Sequence, residues 1–295
     1  MFGTRESFAY LECAACGSLS IADLPPDMSR HYPDNYYSLS AAERRPRIGG
    51  LARRLAVATF LHMPGAFSDR LPANLSLWRA MGKASVRTST PILDVGCGNG
   101  SLIRSLERSG FTDLTGIDPF MERGSTGPHV RLIKGELDDL DGSYGFILLS
   151  HSLEHMPDPR AALHDVARLG APGGHVLIGV PVVNRSWREV GQDWIGLDPP
   201  RHLFIPSVKG LSALIDSTPG LRLREMWFDT TNFEFCGSRL VHDHIPLHDD
   251  ASGVLAPERN FDATQLAAWS KLANEYNRRG EAGTASFLIQ RVAAA

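Results

Sequence analysis

Short apolar runs at 92–95, 114–118, 130–134, 144–150 and 175–181 alternate with stretches in which apolar residues recur every three or four positions. Leu102, Ile103 and Leu106 follow the first run at helical spacing, and Ala162, Leu163 and Val166 do the same after the fourth. A pattern that switches in this way between continuous apolar runs and a 3.6-residue period predicts strands joined by helices. Further on, it predicts a helix over 207–217, a strand over 221–229, a helix over 264–278 and a last strand over 284–292. Strands alternating with helices in this way predict an α/β fold.

The flanking regions read differently. Residues 1–45 form an irregular, Pro- and Tyr-containing lead, and 46–90 read as helical, with Leu51, Leu55, Ala58, Phe60 and Leu61 near helical spacing until Pro64 interrupts. From 91 to 295 the chain reads as one domain, with a turn-rich insertion at 182–206 and a variable segment at 230–280.

Composition narrows the classes. At 295 residues, 43% hydrophobic and 21% charged, the chain has the make-up of a globular protein with a sizeable core. A net charge of −3 argues against nucleic acid bound through phosphates, and Arg44, Arg45, Arg47, Arg53 and Arg54 read as a solvated helix face. No run reaches the roughly 18 apolar residues of a membrane span, and Arg5, Glu6 and Glu12 come before any run of signal-peptide length. A cytoplasmic protein is expected. The four cysteines, at 13, 16, 97 and 236, suggest no disulfide framework.

The chemistry is concentrated at the end of the first strand. Ile92-Leu-Asp94-Val-Gly96-Cys97-Gly98-Asn99-Gly100 places glycines at a strand-to-helix switch, where they permit close backbone approach and positive φ. The dinucleotide fingerprint needs its third glycine three residues after the second. Here Gly100 follows Gly98 directly by two and position 101 is Ser, which disfavours NAD. Asp118 ends the second strand, where a doubly wound fold holds ribose hydroxyls.

With these two motifs the chain resembles the class I S-adenosylmethionine-dependent methyltransferases, and the likeness runs from 92 to 181. It implies a Rossmann-like, doubly wound, seven-stranded sheet whose last strand enters antiparallel. It also implies S-adenosylmethionine held by Asp94, Gly96, Cys97, Gly98, Asn99, Gly100, Asp118, Pro119, Glu136, Leu137 and Ser150. Asp193-Trp194-Ile-Gly-Leu-Asp-Pro-Pro-Arg201-His202-Leu-Phe204 resembles the Trp-x-Gly-x-x-x-Pro-Arg-His loop of a bacterial subgroup tied to polysaccharide or secondary-metabolite synthesis. That implies a small-molecule or sugar acceptor near Trp194, Arg201 and Phe204, with Tyr37 of the lead in a covering segment. Histidine titrates near neutrality and suits removal of a hydroxyl proton; the candidates are His202 first, then His155 and His151.

Two spacings suggest metal without requiring it. Cys13-Ala-Ala-Cys16 is half a zinc knuckle and resembles the N-terminal segment of some sugar-associated methyltransferases, but no second pair follows. His151-Ser-Leu-Glu154-His155 spells the inverted zinc-protease motif, yet it follows a strand and runs into Pro157, whereas that motif needs a helix. Quinone-pathway O-methyltransferases resemble this region and hold a divalent cation with acidic residues and the histidine; here His151 stands where their first acid would be. No metal is expected.

Alternatives to O-methylation are C-methylation of a nucleotide sugar and a non-catalytic cofactor-binding regulator. A nucleotide-sugar oxidoreductase is opposed by the glycine spacing and by the lack of any lysine between 134 and 209 for a Tyr-x-x-x-Lys pair.

Overall fold

A computed structural model describes residues 6–32, 50–62, 71, 75–249, 254–255 and 257–293. It opens with a hairpin of β1 (Tyr10–Glu12) and β2 (Leu19–Ile21), followed by helices α1 (Gly50–Leu61) and α2 (Ser76–Lys83). The alternating core then runs β3 (Ile92–Val95), α3 (Ser101–Arg108), β4 (Leu114–Ile117), β5 (Ser125–Thr126), β6 (Val130–Ile133), β7 (Tyr144–Ser150), α4 (Pro159–Leu169) and β8 (Gly170–Pro181). Next come α5 (Arg185–Val190), β9 (Phe204–Ile205), α6 (Val208–Asp216), β10 (Leu221–Phe228) and α7 (Asn232–His242). The short ribbon β11 (His248–Asp249) and β12 (Val254–Leu255), then α8 (Ala263–Arg279) and β13 (Thr284–Arg291), complete the chain.

The main sheet has the order β10-β13-β8-β7-β3-β4-β6-β5. All seven expected strands are in it, and the eighth is the two-residue β5, antiparallel to β6 at the edge. The pairs β3 with β4, β3 with β7, β4 with β6 and β7 with β8 are parallel, while β13 runs antiparallel to both β8 and β10. Asp94 and Leu148 are partners in register, so the ends of β3 and β7 open side by side at one edge of the sheet. One face is covered by α4 and α6, through Leu163, Val166, Leu211 and Ile215. The other is covered by α2 and α3, through Ala80, Met81, Ile103 and Leu106.

Local chemistry sets the element ends that matter for the site. Gly100, at φ 78°, starts α3 in the left-handed region, where a side chain is strained and its Cβ would lie 2.6 Å from Leu132 Cδ1. The Asp158 carboxylate accepts the Arg160 and Ala161 N–H groups at the start of α4, with Pro159 in the first turn. Asp262 and Gln265 cap α8 reciprocally.

The structure departs from the sequence reading in three places. Residues 171–174, read as a break before the fifth strand, belong to β8 as an irregularity: Tyr144 pairs Gly170 and Phe146 pairs His175. The segment read as variable contains α7, capped by Thr231. The lead contains β1 and β2, and β2 pairs antiparallel with β9, so the chain's beginning is hydrogen-bonded to the 182–206 insertion. Among the described residues, no helix is long and apolar enough to cross a membrane.

Candidate active site

At the end of β3, the Gly96 and Cys97 N–H groups donate to Ile117 O at 2.9 and 3.2 Å, which folds the glycine turn back onto β4. Asp118 fastens it there. Its carboxylate accepts the Gly98 N–H at 2.8 Å on one oxygen and the Phe120 N–H at 2.8 Å on the other. Each oxygen keeps a second lone pair for a further donor.

Asp94 is only 3% exposed, and no described residue hydrogen-bonds its side chain. Burial, and then the neighbouring Asp118, push its carboxyl up to about 7. A buried carboxyl without a donor, next to a second acid, calls for a cation or hydrogen-bond donor from outside the chain. S-adenosylmethionine fits this requirement: its methionyl end is cationic and its ribose offers two hydroxyls. Asp94, the turn 96–100 and Asp118 are the residues that would hold it. Of the other expected cofactor residues, Cys97 and Leu137 are buried, Asn99 and Pro119 are half-buried, and Glu136 and Ser150 are exposed beyond the ends of β6 and at the end of β7.

The neighbouring loop, after β7, holds the histidines. An added Cβ on Gly96 would stand 2.6 Å from Ser152 Cβ, so the glycine turn and this loop are in contact. His151 has φ 54°, in the left-handed region that only a few non-glycine residues adopt, and its N–H donates to Gly179 O at 2.8 Å. A single turn, Leu153–His155, follows. It buries Glu154 completely, with neither carboxylate oxygen hydrogen-bonded.

Three histidines surround that carboxylate. His151 Nδ1 lies 3.4 Å from Glu154 Oε1 and His202 Nε2 lies 4.0 Å from it, while the His155 and His202 rings meet edge to face at 4.8 Å. Burial raises the Glu154 carboxyl, but His151, with His155 and His202, outweighs this and holds it below the ordinary value. Desolvation on its Glu154 side lowers His151, and Glu154 and Asp229 more than offset that, so it titrates above the usual imidazole value. Burial, then His202, pulls His155 down to about 4. The half-exposed His151 ring is 55% accessible, against 12% for His202.

The insertion supplies support rather than open walls. Arg201, expected to bind the acceptor, is 3% exposed; its guanidinium is held by both oxygens of Asp198 and donates to His31 O at 3.2 Å. Its charge is therefore spent inside the fold. Trp194 is buried, with its indole N–H donating to Glu234 at 3.0 Å, and lines a cavity of about 470 Å³ with Phe235, Trp269 and Tyr276. Phe204 lines a different cleft, of about 750 Å³, with Ile21, Pro159 and Leu214. These two aromatics are not brought together. Tyr37 lies outside the described residues.

Tyr32 takes a bridging position that the sequence did not reveal. It stacks on Phe120 at 5.0 Å, and its hydroxyl is 3.3 Å from His155 Nδ1, linking the Asp118 side to the histidines. Asp229 was also missed: it directly follows β10, accepts from Ser286 at 2.5 Å and from Ser76, and keeps its buried Oδ1 without a partner. The only signal for it in the sequence was an acid at a strand end. Cys13 and Cys16 are free thiols on the β1–β2 turn, where Gly17 N–H donates to Cys13 O at 2.7 Å.

A family model described as a methyltransferase domain matches residues 53–246. Over 107 residues the chain is 36% identical to the ubiquinone biosynthesis O-methyltransferase of Pectobacterium atrosepticum, covering 32% of this chain and 43% of that protein. Over 149 residues it is 32% identical to the enzyme of the same name from Cronobacter sakazakii, covering 43% and 60%. The chain thus spans about half the length of the curated relatives it matches. Among solved structures, a chain of the complex between the Haloferax volcanii Trm112 methyltransferase activator and a methyltransferase superposes with a TM-score of 0.50 at 15% identity, covering 88% of this chain and 97% of that one.

Proposed function

This chain belongs to the methyltransferase-domain family, and on that premise we propose that it transfers a methyl group from S-adenosylmethionine to a hydroxyl of a small-molecule or sugar acceptor. S-adenosylmethionine, when bound, supplies an electrophilic methyl on a sulfonium centre. Asp94 offsets the donor's positive charge, Asp118 accepts ribose hydroxyls, and the 96–100 turn admits the ligand close to the backbone.

The observation that carries O-methylation is the His151–Glu154 pair on the loop whose Ser152 packs against the glycine turn. A hydroxyl is a weak nucleophile until it loses its proton. His151 takes that proton at Nε2, while buried Glu154 faces Nδ1 and stabilises the imidazolium that forms. A gap of 3.4 Å is loose for such a pair and is expected to tighten with acceptor bound. His202, first choice on sequence grounds, has its Nδ1 tied to Gly196 O at 2.8 Å and its ring enclosed, which supports a role in holding the cluster. The relatives' name as O-methyltransferases agrees with a hydroxyl acceptor.

The test is transfer of label from S-adenosylmethionine to nucleotide sugars, glycans and phenols, with calorimetry of S-adenosylmethionine against NAD. Label recovered as an acid-stable ether is expected. Tighter binding of NAD, or label recovered only on carbon, would overturn the reading.

A further inference from the structure

We propose that Cys13 and Cys16 form a reversible dithiol–disulfide site, closed by exchange with a low-molecular-weight disulfide, in which Cys16 attacks and Cys13 resolves. The Cys13 N–H donates to Ser18 O at 2.8 Å and the Gly17 N–H donates to Cys13 O at 2.7 Å, so residues 13–18 make one closed turn. Gly17, at φ 77°, supplies the left-handed step that lets the chain reverse. The turn brings the Cys13 thiol within hydrogen-bonding reach of Cys16. Among the described residues, no third histidine, cysteine or acid joins the two thiols in a metal-sized group.

Cys16 is prepared as the nucleophile. Its Sγ lies 3.2 Å from Ser18 Oγ, and that hydroxyl already accepts the Ser207 N–H at 3.0 Å, which leaves its own proton available to a thiolate. Ser18, through its hydroxyl and its backbone, outweighs burial, and with Cys13 and Lys209 adding to it holds the Cys16 thiol below its ordinary value. The thiolate is the form that attacks a disulfide. Half-buried Cys16 borders the cleft of about 750 Å³ that also holds Phe204 and Leu214, which is room for a small disulfide, and Cys13 is exposed. The remaining cysteines, Cys97 and Cys236, are buried, and burial followed by Asp94 and Asp118 pushes the Cys97 thiol up.

The exchange has two steps. The Cys16 thiolate bonds to one sulfur of the small disulfide, and the other sulfur leaves as a thiolate. The Cys13 thiolate then bonds to Cys16 Sγ and expels the second. Two protein thiols are oxidised, one disulfide is reduced to two thiols, and the two protons end on the thiols released. A bond between residues three apart closes a very short loop and removes little entropy from the unfolded chain, so its value is chemical rather than as a staple. The turn is held for both states by α6: Ser207 Oγ donates to Cys16 O at 2.5 Å and Lys209 Nζ to Ala15 O at 2.8 Å. A Cβ on Gly210 of the same helix would stand 2.2 Å from Ser18 Oγ, so helix and turn are in close contact. None of this chemistry depends on methyl transfer.

The test is mass spectrometry of the reduced, full-length protein treated with oxidised glutathione. The wild type should become two hydrogens lighter, keep no glutathione, and return to its starting mass with dithiothreitol. Cys13→Ser lacks the resolving thiol and should stop with one glutathione on Cys16. Cys16→Ser should form its adduct at least about 10-fold more slowly. Iodoacetamide mapping of the native wild type needs no variant: Cys16 should label at a rate that rises with pH through a value below that of an ordinary thiol, while Cys97 and Cys236 stay unlabelled. Glutathione retained on the wild type, no reaction with oxidised glutathione, equal labelling of all four cysteines, or stoichiometric zinc held by these two thiols overturns the assignment.

Discussion

On the cofactor side, the pieces come from one stretch of chain: Gly98 donates to Asp118 across 20 positions, and both sit at the ends of neighbouring parallel strands. On the histidine side, the pieces come from everywhere. His155 meets the Arg201 carbonyl across 46 positions, Tyr10 donates to the His202 carbonyl across 192, and Ser76 donates to Asp229 across 153. The first arrangement is made by strand order and a glycine turn, which recur wherever this fold binds a nucleotide. The second is made by long-range packing of an insertion and a lead segment against the sheet edge. If the two sides are as separable as they are differently built, substitutions on one should leave the other's measurement alone.

The largest effect should come from His151→Ala: turnover lower by roughly 100-fold or more, the usual size of a general-base contribution, with S-adenosylmethionine affinity unchanged by calorimetry. The pH profile sharpens this. A base works deprotonated, so kcat/KM should rise with pH through the His151 pKa, and Glu154 and Asp229 raise that value. The acidic limb should therefore lie above the ordinary imidazole value. Glu154→Gln removes the main raising group and should move the limb to lower pH. A limb that stays put would detach Glu154 from the base, and full turnover in His151→Ala would return the role to His202.

Next in size is Asp118→Ala. Hydrogen bonds to a charged acceptor are worth about 1.5–3 kcal/mol each. Losing those to ribose, together with the Gly98 clamp, should weaken S-adenosylmethionine binding by roughly 100-fold. Thermal melts should show whether the fold persists. Turnover at saturating S-adenosylmethionine should change far less, and a large loss there would mean that the two sides are one unit.

Why one side was legible and the other only partly so follows from these distances. Asp94, Gly96, Gly98, Gly100 and Asp118 are identifiable because their order and spacing are themselves the geometry. The strands themselves were legible through runs four residues or longer, whereas the antiparallel entry of β13 followed from the family resemblance and not from any run. By contrast, β1, β2 and β9 have three, three and two residues, too few for a two-residue period to show. The arginine of the Pro-Arg-His segment looked like an anion ligand, since residue type reveals a charge but not that Asp198 has already paired with it. Glu154 lay in plain view at the loop, but its enclosure by three histidines depends on the insertion folding back.

A smaller effect, about tenfold per pH unit at most, belongs to Asp94. Its carboxyl stands near 7 in the free protein, from burial first and Asp118 second. A cationic ligand favours the deprotonated form, so S-adenosylmethionine affinity should be highest above about pH 7 and fall as pH drops through it. Asp94→Asn should flatten the dependence. S-adenosylhomocysteine, with one positive charge fewer, should show a weaker slope in the wild type. Calorimetry between pH 5.5 and 8.5 reads both, and equal slopes for the two ligands would place the cation away from Asp94.

The smallest effect tests whether the lead belongs functionally to the histidine side. The Tyr10 hydroxyl donates to His202 O at 2.7 Å and to Leu197 O at 3.3 Å, and burial, with Asp198 nearby, keeps it protonated by raising its pKa. Tyr10→Phe removes the donor and leaves the ring. The cost should be about 1 kcal/mol, a typical net hydrogen bond plus part of the desolvation of two carbonyls. A denaturant melt will register it. The informative comparison is between ligands: with one tie to the insertion gone, turnover should fall by a few-fold, while S-adenosylmethionine affinity stays within error, because both Tyr10 hydrogen bonds go to the insertion. If affinity drops alongside turnover, the lead positions both sides, through Tyr32 and its contacts with Phe120 and His155, and the boundary between them lies farther from the sheet than the hydrogen bonds suggest.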